Sequence, residues 1–134
     1  MHVLHTVFKM AAPTDDQKIH SKLRFIYQKC HRNGVCLLVG VGSRTRNGYP
    51  RYHLRYPGYR EVNTTLPRAV YILEHRRPEL IRNVDAGEVS HRCGEKACVE
   101  VQHLLLESPS DNKKRIICHS HKRCGGCSPP CIIR

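Results

Sequence analysis

The feature that most constrains this fold is the clustering of cysteine with histidine in the second half of the chain. SHRCGEKACVEVQH (90–103) holds two of each, and CHSHKRCGGCSPPC (118–131) holds four more cysteines. Such tight mixed clusters are typical of zinc sites and unlike most disulfide frameworks. Because the 134-residue chain has no Trp and two Phe, its core is small and needs such cross-links.

A secreted protein with four disulfides is the competing interpretation of the eight cysteines. It would need an export signal, but the short apolar pairs Val3-Leu4 and Val7-Phe8 are interrupted by His5 and Lys9. No apolar run reaches membrane-spanning length, so no membrane partner is expected. We therefore expect zinc-bound cysteines in a reducing, intracellular compartment.

The first cluster predicts one zinc site. Cys93, Cys98 and His103 lie five positions apart and supply three ligands, one short of a closed tetrahedral site. Cys30 and Cys36 are the candidates for the fourth ligand. We prefer Cys36, because it would tie a neighbouring strand to this loop.

The second cluster is complete by itself. Its four thiols are those of Cys118, Cys124, Cys127 and Cys131. His119 or His121 could replace one of these thiolates. With all four positions filled by protein, both predicted zinc sites are structural rather than catalytic.

Charge points to a nucleic acid partner. The chain has 23 Lys and Arg against 11 Asp and Glu, a formal net charge of +12. Between Gln17 and Arg60 there are ten Lys and Arg and no acidic residue. A solvated surface normally mixes both signs, whereas a continuous cationic segment suits a polyphosphate backbone.

The basic half predicts a helix followed by a hairpin. The capping box Thr14–Gln17 starts a helix that runs to about Cys30. VCLLVGVG (35–42) and YPRYHLRY (49–56) are predicted to pair as antiparallel strands around SRTRNG (43–48). Strand alternation places three basic side chains on one face, where a ribbon could enter the major groove of DNA: Arg51, His53 and Arg55. Arg44 and Arg46 in the turn are further candidate DNA contacts.

The remaining pattern predicts a small α+β domain. A core helix begins near Thr65-Pro67 and stops before Pro78, two brief strands follow at 87–91 and 103–108, and Ser108 caps a last helix. We expect a loose tail at 1–13 and one domain at 14–134. Within it, 14–60 form the basic helix and hairpin, 84–118 the strand–strand–helix core, and 118–131 the second zinc loop.

The stretch 88–131 resembles the His-Me finger (ββα-metal) endonucleases, and among them the zinc-bound homing endonucleases of group I introns. The similarity is carried by four features: Ser-His-x-Cys, Cys-x4-Cys-x4-His, a Leu-x-Glu-Ser strand end, and Asp-Asn-Lys followed by a cysteine. It extends more loosely to 35–56, where Cys36 matches the remaining ligand of the first zinc site.

The resemblance implies specific roles. His91 would be the general base that activates water, and Asn112 would hold one Mg²⁺ at the scissile phosphate. Arg51 corresponds to an arginine near that phosphate, while His53 and Arg55 fall among base-contacting residues. The implied activity is a DNA endonuclease with two structural zinc ions and one catalytic magnesium, leaving 5′-phosphate and 3′-hydroxyl ends.

The resemblance also implies a partner, a compartment and an oligomeric state. The partner would be double-stranded DNA, in the nucleus or elsewhere inside the cell. Family members can dimerise through a longer C-terminal extension, and three residues follow Cys131 here. We therefore expect either a monomer that nicks one strand or a homodimer that uses another surface. The alternative function is a zinc-stapled DNA-binding module whose nuclease core is idle. On the endonuclease hypothesis we expect His91 and Asn112 to converge on one solvent-open point beside the basic face, and divergence of the two would favour the binding module.

Overall fold

The computed structural model describes residues 11–40 and 42–133, and the predicted tail at 1–13 lies outside them for residues 1–10. Helix α1 spans Asp15–Gln28. The predicted capping box is confirmed, since Thr14 Oγ1 accepts from Gln17 N (3.1 Å) and Gln17 Oε1 accepts from Thr14 N (2.8 Å). The buried stripe of this helix, which packs on the core, consists of Ile19, Leu23 and Ile26.

The predicted pairing of 35–42 with 49–56 is wrong. Strand β2 (Cys36–Val39) pairs instead with β1 (Cys30–Asn33), which directly follows α1. Gly34 has φ +62°, which suits the first position of a two-residue hairpin loop. The Asn33-Gly34 pair closes this hairpin, and so short a loop costs little entropy when the two strands come together.

Strand β3 (Arg51–Leu54) pairs with β4 (Val62–Thr65), a segment rich in β-branched residues. The predicted alternation along β3 is confirmed, because Arg51 and His53 are exposed while Leu54 is buried. The 43–48 segment does form a turn, with Arg44 bridged to Pro50. The basic face therefore exists, but β4 rather than β2 stands beside it.

Helix α2 (Leu66–His75) forms the centre of the core, as the sequence predicted. Pro67 occupies its first turn, and the helix ends before a short 3₁₀ turn at Pro78–Ile81. A second 3₁₀ turn, Val84–Ala86, leads to the metal-rich half. The core joins α1, α2 and β3 to Val99 and Leu104 from that half.

The last elements are strand β5 (Glu88–His91), strand β6 (Leu104–Glu107) and helix α3 (Pro109–Ser120), with a 3₁₀ turn at Val101–His103 before β6. β5 and β6 are antiparallel, and Ser108 Oγ caps α3 by accepting from Asp111 N at 3.1 Å. Three helices and three two-stranded sheets over the described residues make this an α+β fold. None of the helices in that part of the chain is long and apolar enough to cross a membrane.

Candidate metal centres and active site

Four buried side chains converge between β2 and the loop after β5. They are Cys36, Cys93, Cys98 and His103, and their ligand atoms all lie within 4.8 Å of one another. His103 Nδ1 is 3.5 Å from Cys98 Sγ and 3.9 Å from Cys36 Sγ. Two ligands about 2.3 Å from a tetrahedral zinc are separated by about 3.8 Å, so this donor set fits zinc.

Backbone pairing brings Cys36 to this cluster. The outer edge of β2 bonds to the zinc loop, with Val99 N donating to Leu37 O (2.8 Å) and Val39 N to Ala97 O (3.2 Å). Cys30, the alternative fourth ligand, lies outside the cluster and directs its thiol to Ile26 O at 3.3 Å. The structure thus places Cys36 with the other three ligands.

The second cluster contains the four predicted thiols, those of Cys118, Cys124, Cys127 and Cys131. Cys118 Sγ is 3.8 Å from Cys127 Sγ, again the separation expected across a tetrahedral zinc. Backbone N–H groups donate to two of the sulfurs, from Gly125 to Cys118 (3.3 Å) and from Cys131 to Cys124 (3.4 Å). The N–H of Cys131 helps to lower the pKa of Cys124 to about 6, which favours a thiolate ligand.

His119 and His121 do not belong to the second cluster. His121 is exposed, whereas His119 Nε2 donates to Arg92 O at 2.8 Å and its ring packs on Gly94. Gly94 has φ +74°, and a Cβ there would fall 2.5 Å from His119 Cγ, so only glycine fits. His119 thus joins the second zinc region to the loop of the first.

His91 ends β5 and is 6% exposed. Its Nε2 lies 3.0 Å from the carbonyl oxygen of Cys98. Because a carbonyl only accepts, Nε2 carries the hydrogen, and in the neutral ring Nδ1 has the lone pair. Burial lowers the pKa of His91, which favours that neutral form near pH 7.

The backbone directly after His91 is held from several sides. Arg92 N donates to His103 O (2.8 Å), while Arg92 O accepts from Ile132 N (2.7 Å) and from the His119 ring. The Arg92 guanidinium also donates to Pro130 O at 3.0 Å. Both zinc loops therefore fix the position of the histidine.

Asn112 lies in the first turn of α3, and its Nδ2 donates to Glu88 Oε1 at 2.9 Å. A carboxylate only accepts, so this bond orients the amide and identifies Nδ2 as the atom facing Glu88, with Oδ1 as the other end of the amide. Asn112 and Glu88 line an open cavity of about 400 Å³ together with Tyr49 and Arg68. An amide oxygen beside a carboxylate is a donor set that suits Mg²⁺.

Tyr49 lies between the two proposed catalytic residues. It lines the cavity of Asn112, and its ring stacks on that of His91 with centroids 6.1 Å apart. His91 itself does not line that cavity, so the expected single solvent-open point contains only Asn112. Sequence reasoning missed Tyr49 and Glu88; their one signal is position, after the Asn47-Gly48 turn and at the start of β5.

Comparison with known proteins identifies the family. The model of the zinc-binding loop region of homing endonuclease matches residues 35–133, most of the chain. The chain belongs to the His-Me finger homing endonuclease family. Neither a curated protein nor a solved structure matches it. Membership indicates a nuclease or DNA-binding role for this homing endonuclease domain.

The exposed face of β3 carries the predicted DNA-contacting residues of the homing endonuclease domain. Arg51 Nε donates to Arg44 O at 3.0 Å and lines a cavity of about 610 Å³ beside the turn, in which Arg44 and Arg46 are exposed. His53 bonds to Asn63 Oδ1 (2.7 Å) and to Glu61 Oε2 (2.9 Å). The hydrogen bonds to these two acceptors raise the pKa of His53, and the bond to Asn63 has the larger effect.

Arg55 extends the same face, and its Nε lies 3.3 Å from Glu61 Oε1. Glu61 is thus shared between His53 and Arg55, which it holds side by side at the surface. All three side chains are substantially exposed, so the pairs contribute little to stability. They order two basic groups that a nucleic acid could meet.

A buried ion pair connects the strands of the homing endonuclease domain to α3. Arg115 Nε and Nη2 donate to the two oxygens of Glu107, at 2.6 Å and 2.9 Å. Glu107 also accepts from Ser90 Oγ, directly before His91. Arg115 Nη1 reaches Cys131 Sγ at 3.5 Å. One side chain thus links β5, β6, α3 and the second metal cluster.

Proposed function

We propose that this protein is a Mg²⁺-dependent DNA endonuclease of homing type that leaves 5′-phosphate and 3′-hydroxyl ends. The observation that carries the proposal is the bond from His91 Nε2 to Cys98 O, which reserves the Nδ1 lone pair for a proton. On this proposal β5, β6 and α3 form the ββα-metal core, and both zinc sites serve as its scaffold.

His91 would act as the general base. Hydrolysis of a phosphodiester needs a deprotonated water, and a neutral imidazole is suited to take that proton near pH 7. The bonds to Cys98 O and around Arg92 fix the ring, so little ordering is left for the moment of reaction. Both proposed zinc loops hold the backbone next to His91, and such fixed positioning supports a catalytic role for this histidine.

Asn112 would hold the metal through Oδ1, with Glu88 orienting its amide and Arg51 near the scissile phosphate. When bound, Mg²⁺ neutralises charge on the phosphate and on the leaving oxygen. Mg²⁺ accepts few protein ligands and keeps most of its waters, which one amide oxygen in an open cavity allows. Arg51 and the exposed side chains of β3 would orient the DNA strand.

The substrate we propose is double-stranded DNA, because a two-stranded ribbon with exposed basic residues fits the major groove. His53 and Arg55 would face base edges, while Arg44 and Arg46 would contact phosphates from the turn. We propose a reducing compartment, nuclear or otherwise intracellular, because cysteines that bind zinc must stay reduced.

A catalytically idle DNA-binding module is the second candidate, and one observation favours it. His91 is 6% exposed and stacked by Tyr49, so a water molecule has little access to it in this conformation. The two candidates differ in one outcome: both predict DNA binding, but only the endonuclease predicts strand cleavage.

The test is plasmid cleavage in Mg²⁺, in EDTA, and with His91→Ala and Asn112→Ala. We expect nicked or linear DNA from the wild type in Mg²⁺ alone, and ends that can be religated without kinase treatment. His75→Ala, which changes an exposed histidine at the end of α2, serves as the matched control. If the wild-type protein binds DNA but fails to cut it in the presence of any divalent metal tested, the idle DNA-binding module becomes the better account of the function.

A further inference from the structure

A basic groove lies between helix α1 and strand β3. Its volume is about 610 Å³, and its walls include Lys18, Lys22, Phe25, His53 and Arg55. No acidic residue is among the residues that line it. The groove therefore continues the basic face of β3 onto a helix to which the proposed activity assigns no role.

Helix α1 has two exposed faces of different character. The face at helical spacing towards β3 consists of Lys18, Ser21, Lys22 and Phe25. The other exposed face lines a separate cavity that also contains Glu74, and it consists of His20, Arg24 and Gln28. The face towards β3 thus carries two lysines, whereas the other face carries Arg24 beside the carboxylate of Glu74 from α2.

The cations of the groove are not all neutralised within the protein. Glu61 is shared between His53 and Arg55. Within residues 11–40 and 42–133, neither Lys18 nor Lys22 forms a salt bridge. The two lysines are thus available to an anion from outside.

Phe25 gives the groove an apolar wall. Its side chain is 58% exposed, and the Lys29 ammonium lies 4.2 Å from the centre of its ring. A sugar–phosphate backbone offers the matching surface, with anionic oxygens for lysines and apolar sugar edges for a ring. Flexible lysines suit phosphates, which fix position, better than base edges, which need fixed geometry.

We propose that this groove binds the sugar–phosphate backbone of DNA flanking the cleaved bond, an inference that rests on the proposed endonuclease function. The six steps along the extended chain from Tyr49, beside His91, to Arg55 span about 20 Å. At about 3.4 Å per base pair, the groove meets the duplex about six base pairs from the cut. Lys18 and Lys22 then extend the bound site beyond the β3–β4 ribbon.

The test is DNA affinity as a function of salt, measured by fluorescence anisotropy with the intact protein. Each lost phosphate contact reduces the magnitude of the negative slope of log K against log salt by about 1, so Lys18→Ala/Lys22→Ala should reduce that magnitude by about 2. Arg24→Ala is the matched control, because it removes one charge from the other face of α1, and it should leave the slope unchanged. In the single variant Lys22→Ala, the magnitude of the slope should be smaller than in the wild type by about 1.

Duplex length supplies a second arm. Trimming the flank to about four base pairs from the cut should lower wild-type affinity and abolish the difference between wild type and Lys18→Ala/Lys22→Ala. If the wild type cuts DNA but the lysine variants match Arg24→Ala, the groove proposal is overturned while the endonuclease stands. If no protein binds or cuts DNA, the proposed function itself fails. Lysine-dependent binding to phosphatidylserine vesicles with unchanged DNA affinity would also overturn the groove proposal.

Discussion

Replacing Arg115 by Met should be among the most destabilising single changes outside the metal ligands. The side chains of Arg115 and Glu107 are 2% and 11% exposed, and two hydrogen bonds join them. Met fills much of the arginine volume but leaves the Glu107 carboxylate with Ser90 as its side-chain donor. Breaking a buried pair from one side typically costs about 3–5 kcal/mol.

Thermal unfolding followed by circular dichroism can measure this cost, with zinc held at a fixed excess because bound metal adds to apparent stability. For a chain of 134 residues, each kcal/mol changes the melting temperature by about 4 °C, so a fall of about 12–20 °C is expected. Arg123→Met, which makes the same chemical change at an exposed position, should alter it by less than about 2 °C.

A double variant separates two costs of Arg115→Met: the loss of the ion pair with Glu107, and the burial of the Glu107 carboxylate without its partner. Adding Glu107→Gln to Arg115→Met removes the unpaired carboxylate, so the double variant should be more stable than Arg115→Met alone. Because Arg115 also reaches Cys131 Sγ, Arg115→Met should release the second zinc at lower chelator concentration than wild type. A fall of less than about 4 °C in Arg115→Met would refute the view that this pair holds the strands to α3.

Three further predictions concern metal, orientation and pH. Zinc analysis should find two ions per chain, and a strong chelator should unfold the protein at room temperature, as monitored by circular dichroism. Glu88→Ala should slow cleavage by at least about tenfold because the Asn112 amide can then turn, whereas Glu88→Gln, whose amide oxygen still accepts, should retain most activity. Asn63 and Glu61 raise the pKa of His53. The His53–Glu61 pair therefore stabilises fully below the unfolded histidine pKa of about 6.5 and is lost as pH rises through the higher folded value. An NMR titration should give a midpoint above about 6.5 that falls in Glu61→Gln, and a midpoint at or below it would contradict this reading.

Local signals in the sequence were sufficient for the helices and for the strand–strand–helix segment. The capping box at Thr14 and Ser108 before Pro109 each act through neighbouring backbone, so their effect is visible in sequence. The metal clusters were equally accessible, because cysteine spacing limits which ligands can meet. Both properties depend on short stretches of chain.

Strand pairing was not predictable in the same way. Two Asn-Gly pairs, at 33–34 and 47–48, offered two places for a hairpin, and alternation alone does not decide which strands are partners. The strand at Val62–Thr65 was not predicted, although the turn signal Pro57-Gly58 lies between it and β3, with Gly58 at φ +78°. The Asn-Gly turn at 33–34 pairs β2 with β1, and the other edge of β2 bonds to the zinc loop, with Val99 N donating to Leu37 O.

The site could be predicted as a set of residues but not as an arrangement. Tyr49 and Glu88 meet His91 and Asn112 only through the way β5 packs on α3 and on the turn before β3. The burial of His91 under the ring of Tyr49 was also not predictable from the sequence, because a histidine at the end of a strand can equally face solvent. Such contacts arise from long-range packing, which spacing does not encode.

The most direct measurement of the central claim compares binding and single-turnover cleavage by His91→Ala on one duplex in Mg²⁺. A general base typically contributes about 10²–10⁴-fold, so cleavage should fall by at least about a hundredfold while affinity stays within about twofold of wild type. His91→Gln guards against a folding defect, with zinc content and circular dichroism as the checks. Cleavage at the wild-type rate by either folded variant would contradict the account.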